Sequence, residues 1–213
     1  MSYPDKATDV HMDTDGNDFQ CQTCHVTENH QITGNSMGVS PGGENKIGCV
    51  NCHDAAPHKN TKLNTHSETV ACQTCHIPSF AKNEPTKMRW DWSQAGQDLP
   101  ETTDQYGKHT FMKKKGSFIW QKDVKPQYAW FNGRADAYMA GDKMDPTKTV
   151  KLAYPLGDIR DPKAKIYPFK VHTGKQIYDA KLNILITPKT YGEGGYWDKF
   201  DWDLAAKLGM EAN

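Results

Sequence analysis

The sequence predicts a mainly α, largely irregular fold. Its N-terminal part should be short helices wrapped on bound groups that are not amino acids. Its C-terminal part should be rich in aromatic residues, with a few short strands and a terminal helix. Three observations predict this. A pattern recurs three times, as CQTCHVTENH at 21–30, CVNCHDAAPH at 49–58 and CQTCHIPSFA at 72–81. Apolar residues make up only 36% of the 213, and the mean hydropathy is −0.82. The shortage is sharpest in residues 1–75, where Gly, Asn, Thr, Asp and His abound. Such a segment cannot bury enough of its own apolar surface to order itself. After Cys75 the composition changes: there is no further cysteine, and all six tryptophans lie beyond it.

The repeated front half, Cys-x-x-Cys-His, is the attachment signature of c-type haem. The i, i+3 spacing sets two sulfurs where they can form thioethers to the two vinyl groups of one porphyrin. The adjoining histidine then lies beneath the iron as its proximal ligand. Zinc would use cysteine pairs two at a time, and three pairs leave one over. A redox-active pair would need a thioredoxin-type strand–helix context, which is absent. With 9 histidines in 213 positions, three C-x-x-C pairs would each be followed by His with a chance of roughly 10⁻⁴. The expected haem cysteines are Cys21, Cys24, Cys49, Cys52, Cys72 and Cys75, and the proximal histidines are His25, His53 and His76. Three covalently attached haem c groups would also supply the missing core. Residues 1–80 are therefore read as a trihaem-binding segment, and the fold as a multihaem cytochrome c.

A low-spin haem needs a second ligand on its far face. His30 and His58 trail their own proximal histidines by five residues. So short a segment can hardly travel round a macrocycle, so each should reach a neighbouring haem. The motifs start 28 and 23 residues apart (49 − 21 and 72 − 49), which keeps the haems close. The supply of further histidines is His11, His30, His58, His66, His109 and His172. Three haems need at most three of these, so the surplus are either surface residues or ligands to haems outside this chain. His109, among lysines in YGKHTFMKKK, reads as a surface residue.

Residues 81–213 read as an aromatic-rich wrapping segment that packs on the haems. GSFIWQ is a short strand, and KQIYDAKLNILITPK a hairpin turning at Asp179–Asn183. Lys113–Lys115 reads as a solvated turn, and His172 as held on a strand edge. YWDKFDWDLAAKLGM reads as the terminal helix, near 198–209, with Phe200, Leu204 and Leu208 on one face. Asp198 or Asp201 would cap it and Gly209 end it.

The stretches DVHMDTDGNDFQCQTCHVTENHQ, VSPGGENKIGCVNCHDAAPH, VACQTCHIPSFAKNEPTKMRWDWSQAGQ, PQYAWFNG, GDKMDP and AKIYPFKVHTGKQIYD resemble the C-terminal portion of the octahaem tetrathionate reductase family of periplasmic cytochromes. The resemblance runs over nearly the whole chain, and its non-haem stretches are the more specific part. It implies that His11, His30, His58, His66 and His172 are distal ligands, some of them to haems encoded elsewhere. It implies reduction of tetrathionate, nitrite or hydroxylamine at one lysine-ligated haem, with bis-histidine haems relaying electrons. Only three of the family's eight haem sites are present, and no lysine here matches the catalytic one, so the catalytic residues are unknown.

Three functions follow as expectations. The first is an electron relay through bis-histidine haems, with a redox partner protein or a further haem-bearing segment. The second is reduction of a sulfur or nitrogen oxyanion at an open iron of this chain. The third is an extracellular cytochrome polymer, a homo-oligomer in which a histidine ligates a haem of the next copy. Equal numbers of basic and acidic residues, 26 each, argue against nucleic acid as a partner, and no apolar run is long enough to span a bilayer. Attachment of c-type haem follows export, so a periplasmic or extracellular location is expected. MSYPDKATDV is no secretion signal, so either a leader was removed or the chain begins inside a longer protein.

Overall fold

The computed structural model describes residues 3–34 and 47–212. The VSPGGENK part of one resemblance stretch lies outside them. The chain forms two compact units. The first comprises residues 1–83, 125–137 and 152–170, and the second residues 84–124, 138–151 and 171–213. The later part of the chain is thus shared between both units.

In the first unit the three haem motifs are short helical turns, at Cys21–Cys24, Cys49–Asn51 and Cys72–His76, with one further helix at Thr61–His66. The third motif is braced on an antiparallel pair, Gln127–Phe131 with Lys165–Phe169. Ile166 accepts from the Ala71 amide at 2.9 Å and from Thr74 Oγ1 at 2.7 Å, and its own amide reaches the Thr69 carbonyl. Phe131, Tyr167 and Phe169 pack beside it with ring centroids 5.3–5.5 Å apart. Yet among the described residues the buried apolar side chains of this unit are three alanines, Ala71, Ala135 and Ala164, together with Pro168. Val10, Val26, Ile32, Val50 and Leu63 stay exposed. The unit is a shell without its own interior.

The second unit has a side-chain core. Its five-stranded sheet runs in the order Thr173–Lys175, Thr86–Asp91, Gly116–Gln121, His109–Met112, Thr102–Thr103. The first pair is parallel and the rest antiparallel. Gly116 (φ +83) allows a close approach within the sheet, since a Cβ there would lie 2.1 Å from the Asp91 carbonyl oxygen. GSFIWQ is a strand, Lys113–Lys115 a turn, and Tyr178–Asp179 pairs with Ile184–Leu185 as the expected hairpin.

Two expectations need correction. The fold is not mainly α: the helices are few and short, and strands are the commoner element. Alternation in segments such as RWDW and GSFIWQ matches a sheet period, but the partner strands are remote. Arg89 pairs with Thr173, for example, which no local pattern reveals. The terminal helix is also broken. Tyr196–Lys199 ends at Phe200 in the left-handed region (φ 53), and a second helix, Trp202–Glu211, follows. Asp201 is its cap, accepting from the Leu204 amide at 3.0 Å. Gly209 does not end that helix. It is buried where the helix backbone presses on Thr187–Lys189, so that a Cβ would lie 2.0 Å from the Thr187 carbonyl oxygen.

Asp91 ties the sheet to the turn after it. Its Oδ1 accepts from the Ser93 amide at 3.0 Å and the Ser93 hydroxyl at 2.6 Å, and Arg89 lies 3.5 Å from its other oxygen. Burial alone would raise its carboxyl, but the Ser93 bonds, then Lys175 and Arg89, outweigh that and hold it below the ordinary carboxylate value. A lowered carboxylate contributes stability above its unfolded value of about 3.9 and loses it as pH falls through the folded value. Asp91→Asn is expected to destabilise the protein by ~1 kcal/mol at neutral pH. Thermal unfolding curves should show this gap closing below about pH 4.

Candidate haem centres

Two pairs of imidazoles face one another in the first unit. The rings of His11 and His53 have centroids 6.1 Å apart at 63°, and those of His58 and His76 are 6.2 Å apart at 16°. An iron bonded by two imidazole nitrogens at about 2.0 Å each would separate the ring centroids by roughly 6.3 Å. Distance alone does not mark these pairs, since Trp92 and Trp202 are also 6.2 Å apart, but each pair joins the histidine of a Cys-x-x-Cys-His motif to a second imidazole. The spacing leaves room for one iron between each pair. His53 and His76 each directly follow a Cys-x-x-Cys pair, and each of their partners comes from elsewhere in the chain. His58, which trails the second motif, meets the histidine of the third.

Outer contacts set the tautomers. Ligating histidines characteristically donate Nδ1–H to a carbonyl, which leaves Nε2 bare for the metal. His58 is clamped by Asn64: its Nδ1 is 3.2 Å and its amide 2.9 Å from Asn64 Oδ1, and Asn64 Nδ2 returns a bond to the His58 carbonyl at 2.8 Å. His25 Nδ1 lies 2.8 Å from the Thr33 carbonyl oxygen, and His172 Nδ1 lies 3.1 Å from that of Lys87. Gly34 (φ +114) is needed beside His25, because a Cβ there would touch the imidazole at 2.7 Å. The sequence does not point to Asn64 or Thr33, because a carbonyl acceptor several residues away carries no motif.

The sulfurs also converge. The Cys49 thiol is raised, first by burial and then by the charge and hydrogen bond of Cys72 beside it. Tyr167 is raised by burial and by the nearby Cys49. The first cysteines of the second and third motifs are therefore neighbours. None of the six cysteines is joined to another in a disulfide. Among the described residues no group of three or more His, Cys, Asp or Glu side chains converges, so a zinc centre lacks its ligand set here.

The remaining histidines are dispersed. Among the described residues no imidazole faces His25. His30 is exposed in a two-residue turn with Asn29, both at positive φ, between Thr27–Glu28 and Gln31–Ile32. His66 is exposed at the end of its helix and His172 just before Thr173–Lys175. His109 is exposed on a strand, 3.9 Å from Glu101, as a surface residue would be.

Paired imidazoles, C-x-x-C sulfurs outside any disulfide and a unit with few buried apolar side chains fit covalent haem, and they define a multihaem c-type cytochrome. The sequence pattern of the family described as bacterial cytochrome c matches residues 87–213. A crystal structure of octahaem cytochrome c from Shewanella oneidensis is similar at 78% identity with a TM-score of 0.93, covering 99% of this chain and 48% of that one. This chain belongs to the bacterial cytochrome c family, and is a multihaem cytochrome of the octahaem family. It spans about half the length of that octahaem chain. Among curated proteins nothing matches. Covalently bound haem c and electron transfer follow from the family. Among the described residues no helix is long and apolar enough to cross a membrane.

Proposed function

We propose that this chain is a trihaem electron-relay module of an octahaem reductase-type cytochrome, working in the periplasm. The carrying observation is the pair of imidazole couples at 6.1 and 6.2 Å, with Cys49 beside Cys72. In this reading Cys21/Cys24, Cys49/Cys52 and Cys72/Cys75 each hold one haem c. His25, His53 and His76 are proximal, His11 serves the second iron and His58 the third. Bound haem supplies a one-electron iron(III)/iron(II) couple. His11 with His53 and His58 with His76 would hold two irons between imidazoles, which would leave no place for substrate there. Asn64 fixes the donor nitrogen of His58. Cys49 and Cys72, being neighbours, would bring the two haems they hold close together, which would favour transfer between them.

An iron held by His25 would find no second imidazole among the described residues. Its donor is a further haem-bearing segment, a partner chain or a second copy. His30, His66 and His172 are this chain's own donors to haems beyond it. The same feature supports a second reading, in which that iron takes a sulfur or nitrogen oxyanion such as tetrathionate or nitrite, or hydroxylamine. The purified chain should weigh more than its amino acids by three haems, and after reduction it should bind carbon monoxide at one haem at most. Uptake by two or three haems would overturn the paired ligation. A spectral change of that single haem on adding nitrite, hydroxylamine or tetrathionate, with turnover, would favour the second reading.

A further inference from the structure

Four of the six tryptophans, Trp90, Trp92, Trp120 and Trp202, lie in one chain of ring contacts in the second unit. Trp90 stacks on Trp92 at 4.6 Å, Trp92 meets Trp202 edge-on at 6.2 Å, and Trp202 stacks on Tyr196 at 3.6 Å. Phe118 joins Trp90 to Trp120 at 5.5 and 6.3 Å, and Phe200 closes the other end at 5.6 Å from Tyr196. Every step lies within the range over which aromatic rings interact. Indole and phenol are the most easily oxidised side chains apart from those with sulfur, whereas phenylalanine is inert. The active stations are therefore Trp90, Trp92, Trp202 and Tyr196.

Charge is distributed unevenly along this line. Lys87 Nζ sits over Trp90 and Phe118 at 4.0 Å each and over Trp120 at 5.1 Å, and Lys113 Nζ lies 4.9 Å from Phe200. A cation on a ring face makes that ring harder to oxidise, since it repels the positive charge left behind. Among the described residues no such cation sits over Trp92, Trp202 or Tyr196. This middle segment also packs in the core with Ala95 and Ala205, where Tyr196 is only 1% exposed.

We propose that these rings form a path for oxidising equivalents, running from the Lys87 end into a shielded resting place at Trp202, which stacks on Tyr196. A strong one-electron oxidant takes one electron from Trp90. Trp92 refills Trp90, and Trp202 refills Trp92, so that Trp202 ends as the radical cation with no proton transferred. A single electron from a reductant restores it. That the reductant is the protein's own haem relay rests on the function proposed above; the ring path itself does not.

The test uses the haem-loaded chain with photogenerated tris(bipyridine)ruthenium(III) as oxidant, and maps oxidised residues by peptide mass spectrometry. Trp202 and Tyr196 should be modified ahead of Trp130, which is half-buried like Trp202 but off the path, and ahead of Tyr191, which is 80% exposed. Modification that follows exposure, or that strikes Trp130 equally, would overturn the path. Lys87→Met, which removes the cation over Trp90 but keeps a long apolar side chain there, should raise modification of Trp90 relative to Trp202 about tenfold. An unchanged ratio would refute the electrostatic bias. Trp202→Phe should protect Tyr196 and shift damage to Trp92. None of these readouts depends on ligand assignments, which carbon monoxide binding tests separately.

Discussion

His58→Ala should convert the iron at His76 from a closed to an open centre. The reduced variant is expected to bind one more carbon monoxide per chain than the wild type. Its potential should rise by on the order of 0.1 V, within the ~0.8 V range that axial ligands span. The physical reason is the loss of the donor whose ring lies 6.2 Å from that of His76. Electron paramagnetic resonance adds a second readout. Near-parallel imidazoles, at 16°, give an ordinary rhombic low-spin signal, and rings crossed at 63° give a more anisotropic one. The variant should lose the rhombic signal alone. Unchanged carbon monoxide binding would remove His58 from the iron.

The double substitution Cys49→Ala with Cys52→Ala should unfold the first unit and spare the second. One porphyrin offers several hundred Å² of apolar surface, which at ~25 cal/mol/Å² is on the order of 10 kcal/mol. That is comparable to the whole stability of an ordinary domain, ~5–15 kcal/mol. The first unit has only alanines and a proline in its described apolar interior, so its side chains do not make up the loss. The second unit keeps Phe111, Phe118 and Tyr196 buried. Amide hydrogen exchange should lose protection in residues 49–83 and 165–169 while residues 109–121 stay protected. Retained protection in the first unit would show that its order does not come from haem.

The resemblance to octahaem cytochromes is legible in the letters alone, because PQYAWFNG and AKIYPFKVHTGKQIYD are specific as strings. The placing of His58 near a neighbouring motif is legible too, since five residues cannot circle a macrocycle. The partnership of His11 with His53 is not: 42 positions separate them (53 − 11), and only folding brings the rings together. The dominance of strands is hidden for a similar reason, as the edge strand at Thr173 pairs with a segment more than 80 residues earlier. Phe200 reads as a helical position because its spacing from Leu204 and Leu208 is helical. Its left-handed backbone breaks the helix there and lets Tyr196, before the break, stack on Trp202 after it.

Sequence alone determined what the chain must bind, because thioether attachment needs two sulfurs and a histidine within one helical turn, a local requirement written in adjacent letters. Tertiary structure decided which imidazoles confront each other, that Cys49 and Cys72 are neighbours, and how the tryptophans line up. Those are relations across long loops, fixed by the free energy of the whole packed molecule rather than by any short stretch of it.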